Sequence, residues 1–382
     1  MKPGEAMQKV LTGQYDSSII EKMKKAGGVY VEKDMTFHLA ESFGFCYGVD
    51  RAVDLAYATR EKYPQARLFL TTEIIHNPRV NKNLLELGYQ FLSGPYKGDV
   101  TIDDLTADDV VVIPAFGTDL QTLKKVSDKG CQIVETTCGS VLNIWRRVES
   151  YTKEGYTVVI HGKYYHEETQ ATSSRVMKSS TGKYLVVLNM EEADIVANYI
   201  RHGGDKEKFL QRFSKAVSSQ FDPDKDLQRI GLANQTTMLG SESLCVADHL
   251  KQAVVDRYGE ETLEEHFRSF ETICSATDDR QTAVMKLEGK DLDLMIVVGG
   301  YNSSNTNQLC YITSQFTKTY HIENHEELGS EQIIRHKPHG QWETIVTEDW
   351  LPSGPVNIGI TAGASTPDKV IGDVIEKILT FR

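Results

Sequence analysis

Short apolar runs alternate with helical patterns along this chain from about residue 37 to its end. The runs at 67–70, 110–113, 157–160, 185–188, 294–298 and 356–360 predict strands, and several are short runs of Val, Ile and Leu, as expected for strands covered on both faces. Between them, apolar residues recur at helical spacing. Val49, Ala52, Val53 and Ala56 follow i, i+3, i+4, i+7, and Val141, Leu142, Trp145 and Val148 form a second stripe. This alternation predicts an α/β fold with mostly parallel sheets. The first 36 residues are polar and broken by Gly27 and Gly28, which reads as an extension ahead of the main body. Two further polar stretches, 201–226 and 331–355, carry Gly203-Gly204, Pro223 and Pro352 as breakers and read as insertions or connections.

The cysteines mark an internal repeat. Glu135-Thr136-Thr137-Cys138 and Glu271-Thr272-Ile273-Cys274 share the pattern E-T-x-C, and each precedes small or polar residues and then a helical pattern. Cys46, in Gly44-Phe45-Cys46-Tyr47-Gly48, also sits just before a predicted helix. About 25 to 30 residues after each cysteine a strand ends in a polar loop: His76-Asn77, then His166-Glu167-Glu168-Thr169, then Asn302-Ser303-Ser304-Asn305. A second strand in each repeat ends at Pro114-Ala115-Phe116-Gly117-Thr118, at Asn234-Gln235-Thr236-Thr237, or at Thr361-Ala362-Gly363-Ala364-Ser365-Thr366. The expected organisation is three similar α/β units, 37–135, 136–270 and 271–382, following the 1–36 extension. Ligand groups gather at the carboxyl ends of parallel strands, so three thiols and six polar loops would face one shared centre.

Composition narrows the choices. A net charge of −12 and a pI near 5.5 argue against a general binder of nucleic acid or of anionic membranes. No apolar run approaches the 18 or so residues of a membrane span, and the N-terminal stretch resembles neither a secretory signal nor a typical transit peptide. The cytoplasm is the expected location. Six cysteines are too sparse for a disulfide scaffold, and none forms a C-x-x-C pair. A lone cysteine is ordinarily a small buried apolar residue, and Cys131, Cys245 and Cys310 fit that description.

Three thiols at helix N-termini suit a metal, because helix dipoles and free N–H groups stabilise thiolate. Three protein ligands leave one coordination position open, as catalytic sites do, and thiolate-only ligation favours zinc or an iron–sulfur cluster. The loops offer Ser303, Ser304, Asn305, Thr236, Ser365, His76 and His166, neutral or readily cationic donors suited to a phosphate or diphosphate. No G-x-G-x-x-G follows a strand and no P-loop motif is present, which argues against a bound nucleotide. Glu168, the acid beside His166, is the leading proton donor.

Read in order, Gly44-Phe45-Cys46-Tyr47-Gly48-Val49-Asp50-Arg51-Ala52, Ile75-His76-Asn77, Thr137-Cys138, His166-Glu167-Glu168, Gln235-Thr236-Thr237, Ile273-Cys274-Ser275-Ala276-Thr277, Asn302-Ser303-Ser304-Asn305 and Thr361-Ala362-Gly363-Ala364-Ser365 closely resemble the LytB/IspH family of 4-hydroxy-3-methylbut-2-enyl diphosphate reductases. The resemblance runs from about Phe37 to the C-terminus. It implies three α/β units around a central 4Fe–4S cluster, held by Cys46, Cys138 and Cys274, with one iron not ligated by protein. The substrate would be a small allylic diphosphate, reduced in the last step of the methylerythritol phosphate route to isoprenoids. His76, His166, Thr236, Ser303, Ser304, Asn305 and Ser365 would contact substrate, and Glu168, Thr236 and His166 would manage the proton. Without a flavin or nicotinamide signature, electrons would come from ferredoxin or flavodoxin, and a homodimer is compatible with the family.

Two positions depart from the pattern. The best-known bacterial members carry His where this chain has Phe116, whereas the plant and cyanobacterial branch resembles this sequence there and also carries N-terminal extensions. Phe116 cannot donate a hydrogen bond to a diphosphate, which leaves Thr118 or a water to replace it. Gly139 stands where Pro is more usual. Two other readings compete: a three-cysteine zinc hydrolase with Glu168 as base, and a non-catalytic iron–sulfur sensor.

Overall fold

The computed structural model describes every residue except Glu271, so that member of the second E-T-x-C copy lies outside the described residues. By its contacts the chain divides into two units: Met1–Asp99 with Ser275–Arg382, and Val100–Cys274. The fold is mixed α/β with mostly parallel sheets, as the alternating pattern predicts.

The first unit is built on a five-stranded sheet in the order Val29–Glu32, Met35–Leu39, Val356–Ala362, Leu294–Val298, Thr319–Ile322. Only the first pair is antiparallel. Phe37 lies opposite Ile358 and Leu39 opposite Ile360, so apolar side chains stack across neighbouring strands into one core with Ile296, Ile371 and Trp350. The strand read as 356–360 runs two residues further, because Thr361 and Ala362 pair with Val297 and Val298. Small and polar residues hid that extension from the apolar pattern.

The N-terminal segment is a correction to the sequence reading. It forms helices Glu5–Tyr15 and Ser18–Lys25 and the strand Val29–Glu32, and buries Leu11, Tyr15, Ile19, Ile20, Met23 and Met35. The boundary after residue 36 falls inside the strand Met35–Leu39, so there is no structural break there. Helix Ser18–Lys25 is amphipathic, with Ile19, Ile20 and Met23 on the face that joins the core. The stretch 331–355 likewise holds the hairpin Ile333–His336 with Ile345–Glu348, and buries Trp350.

The second unit carries the all-parallel sheet Phe267–Ser269, Ile230–Asn234, Thr157–His161, Tyr184–Val187, and the parallel pair Val110–Ile113 with Gln132–Glu135. The 201–226 stretch, read as a connection, supplies Phe209, Phe213 and Phe221 to the core of this unit. Among the described residues, no helix is long and apolar enough to cross a membrane.

Candidate active site

Cys46 is the N-cap of helix Tyr47–Lys62, Cys138 is the N-cap of helix Gly139–Lys153, and Cys274 directly precedes helix Ser275–Met285. Val49, Ala52, Val53 and Ala56 bury one face of the first helix, as their spacing predicts. Val141, Trp145 and Val148 do so for the second. All three thiols are half-buried.

The same tie holds each cysteine in place. Cys46 N–H donates to the Ala364 carbonyl at 3.2 Å, Cys138 N–H to Ala115 at 2.8 Å, and Cys274 N–H to Thr236 at 3.3 Å. The reason is strand pairing. Met35–Leu39, Gln132–Glu135 and Phe267–Ser269 run toward the three cysteines, and their parallel neighbours Val356–Ala362, Val110–Ile113 and Ile230–Asn234 run into those three loops. Sequence reading grouped each cysteine with loops that follow it in the chain. The pairing instead ties it to a loop from the preceding repeat, or, for Cys46, from the C-terminal end.

In the first unit this arrangement gathers predicted diphosphate residues around Cys46. Ala364 N–H donates to Asn305 Oδ1 at 3.0 Å, and Ser365 Oγ donates to the His76 carbonyl at 3.2 Å. The His76 ring makes a 3.1 Å hydrogen bond through Nδ1 to Glu73. Ser303 caps helix Ser304–Ser314 through a hydroxyl that accepts from Thr306 N–H at 3.3 Å, and Ser303, Ser304 and Asn305 are all buried. Gly363 lets Thr306 pack directly against the loop, where any Cβ would collide with its hydroxyl.

The second unit holds the predicted proton-handling residues. His166 caps helix Glu167–Val176, its Nδ1 accepting from Glu168 N–H at 3.2 Å. Glu168 is buried, 3% exposed, and its carboxylate spans Thr236: Oε1 accepts from Thr236 N–H at 2.6 Å and Oε2 from Thr236 Oγ1 at 2.8 Å. Glu167, one residue earlier, is part-exposed. Phe116 is buried and meets the His166 ring edge-to-face, with centroids 6.3 Å apart.

Residues 37–379 match the family described as LytB protein. This chain belongs to that family. A LytB relative from Cyanothece sp., named 4-hydroxy-3-methylbut-2-enyl diphosphate reductase, is 46% identical over 98% of this chain and 91% of its own length. A relative of the same name from Thermosynechococcus vestitus is 47% identical over 99% and 93%. Among solved structures, one of (E)-4-hydroxy-3-methyl-but-2-enyl diphosphate reductase matches with a TM-score of 0.54 and 29% identity, covering 90% of this chain and 99% of that one. The Plasmodium falciparum structure, at 21% identity and a TM-score of 0.66 over 90% and 87%, shares the fold.

LytB identity suggests an iron–sulfur cluster, a group that thiols suit, and Cys46, Cys138 and Cys274 are each half-buried at a helix N-terminus. Two residues given no role by the sequence reading hold these loops. Gln235 Oε1 accepts from Lys163 N–H and from Thr169 Oγ1, both at 3.1 Å, and so fixes the loop before His166. Arg280 reaches back to the Cys46 loop. Neither side chain stands out in a linear pattern, since Gln and Arg are ordinary helix and loop residues.

Proposed function

We propose that this LytB protein is a 4-hydroxy-3-methylbut-2-enyl diphosphate reductase. The allylic C–O bond of the substrate breaks, two electrons and two protons enter, and water leaves with isopentenyl or dimethylallyl diphosphate as product. The observation that carries this reading is the near full-length likeness to reductases, at 46–47% identity. Cys46, Cys138 and Cys274 hold a 4Fe–4S cluster with one iron lacking a protein ligand, in a chain composed of three related α/β units. The recurring tie from cysteine N–H to loop carbonyl supports that threefold reading. When bound, the cluster supplies electrons and a Lewis acid.

The chain's own residues do the rest. His76, His166, Ser303, Ser304, Asn305 and Ser365 bind and orient the diphosphate through hydroxyl, amide and imidazole donors. Glu168 holds a proton for the leaving hydroxyl oxygen, and Thr236, hydrogen-bonded to both its oxygens, aligns that carboxyl and passes the proton on. Electrons come from an external carrier of the ferredoxin or flavodoxin class, in the cytoplasm. A homodimer accords with this reading.

Anaerobic purification with iron and sulfide analysis and a reductant-driven assay on the diphosphate tests the proposal. The expected result is a coloured protein with about four irons and four sulfides per chain that forms both products. A colourless, oxygen-stable protein with stoichiometric zinc overturns it in favour of a hydrolase, and a coloured protein without turnover overturns the catalytic role.

A further inference from the structure

A buried arginine joins the backbone beside two of the cysteines. Arg280, on helix Ser275–Met285, is 4% exposed. Its side chain folds back along the helix, so that Nη1 donates to the Ala276 carbonyl at 2.7 Å while Nη2 donates to the Gly44 carbonyl at 2.6 Å. Ala276 comes two residues after Cys274, and Gly44 two before Cys46. The guanidinium is always charged, and its rigid fork fixes two segments at once.

A second route links the same helix to the same loop. Asn305 Nδ2 donates to Thr277 Oγ1 at 3.5 Å, Asn305 Oδ1 accepts from Ala364 N–H, and the Ala364 carbonyl accepts from Cys46 N–H. Gly44 closes the circuit at φ +73°, and a Cβ there would lie 3.0 Å from Asp368 Oδ1. Helix, cysteine loop and Asn305 are thus joined in one hydrogen-bonded circuit of which the guanidinium is a link.

We propose that Arg280 is a positioning residue that fixes the backbone of Cys46 and Cys274, and that its buried charge raises the reduction potential of the cluster they carry. The inference rests on those cysteines being ligands. A fixed positive charge in a low-dielectric interior favours whichever redox state is more negative, which is the reduced one. Groups that hold metal ligands in place are commonly worth about 10- to 100-fold in metal affinity.

The test uses the reconstituted protein as Arg280→Lys and Arg280→Gln, with potential measured by spectroelectrochemical titration, iron release by chelator challenge, and folding by thermal melting. Arg280→Gln keeps a donor but loses the charge, so its potential should fall below wild type. Arg280→Lys keeps the charge but loses the fork, so its potential should stay near wild type while iron retention weakens about 10- to 100-fold. Wild-type potential in Arg280→Gln with wild-type iron release in both variants overturns the proposal, even if melting temperatures drop. If Arg280→Gln does not fold, unchanged iron release in Arg280→Lys is enough to overturn it. Full iron retention in Cys46→Ser and Cys274→Ser overturns the ligand assignment instead, and those variants leave Arg280 in place.

Discussion

Thr236 holds Glu168 by both carboxylate oxygens, one through its backbone N–H at 2.6 Å and the other through its hydroxyl at 2.8 Å. The two residues are 68 positions apart in sequence and both buried. A carboxyl group held this way has one orientation, and proton transfer depends on orientation before it depends on acidity.

Glu168→Gln keeps the shape and one acceptor oxygen but has no carboxyl proton to give. Turnover should fall by about 10²- to 10⁴-fold, with the cluster spectrum and substrate binding retained. Glu167→Gln, at the part-exposed neighbour, is the control and should turn over normally. Steady-state assays on both, beside absorption spectra, decide the matter. Wild-type turnover in Glu168→Gln removes the acid from the mechanism.

Cys46→Ser, Cys138→Ser and Cys274→Ser should each lose iron, whereas Cys131→Ser, Cys245→Ser and Cys310→Ser should keep it. Among the described residues, only the first three thiols stand at the start of a helix; of the other three, read as buried, Cys131 is half-buried and Cys245 exposed. Cys310 is 2% exposed, and burial pushes its thiol up to about 11, which makes it a poor thiolate ligand. Iron analysis of the six reconstituted variants checks this, and equal loss from all six would refute it.

Phe116→His tests the departure from the better-known bacterial pattern. The Phe116 ring is buried edge-to-face against His166, so its position adjoins a predicted substrate residue. A histidine there gains a donor for the diphosphate but buries a polar ring in the free protein, at a cost of about 1–3 kcal/mol if it stays unpaired. The melting temperature without substrate should fall, and the deficit should shrink when the diphosphate is bound. KM should fall below wild type, because the deficit shrinks only if the variant binds the diphosphate more tightly. A deficit of equal size with and without substrate would place Phe116 in a purely structural role.

Stability should depend on acid through two buried histidines. Burial pushes His161 and His321 down to about 4, from an ordinary value of 6.5. The unfolded chain then binds protons between pH 6.5 and 4 that the folded chain refuses. Their contribution is complete above pH 6.5 and declines as the pH falls toward 4, by about 3 kcal/mol per histidine at most. Denaturant titrations at pH 7.5, 5.5 and 4.5, with His161→Gln as comparison, check it. The variant should show a shallower decline over that window, and an identical decline would refute the assignment.

Local pattern was enough to locate many of the elements that carry the candidate site. Helical stripes after Cys46 and Cys138 located helix starts, because burying one face demands that spacing whatever the partner. The Val- and Ile-rich runs located central strands such as Leu294–Val298, because a strand covered on both faces must be apolar throughout. Glu168 was visible as an acid beside a histidine, but its grip on Thr236 was not. Nor was the packing of the first 36 residues, the tie from Cys46 to Ala364, or the reach of Arg280 to Gly44. The grip on Thr236 and the tie from Cys46 depend on which strands pair in parallel. A parallel neighbour is reached only through a crossover, so it can lie anywhere along the chain; here Met35–Leu39 finds its partner in Val356–Ala362, more than 300 residues away. Composition and periodicity carry no record of that choice, which is made by the joint burial of faces contributed from both ends of the sequence.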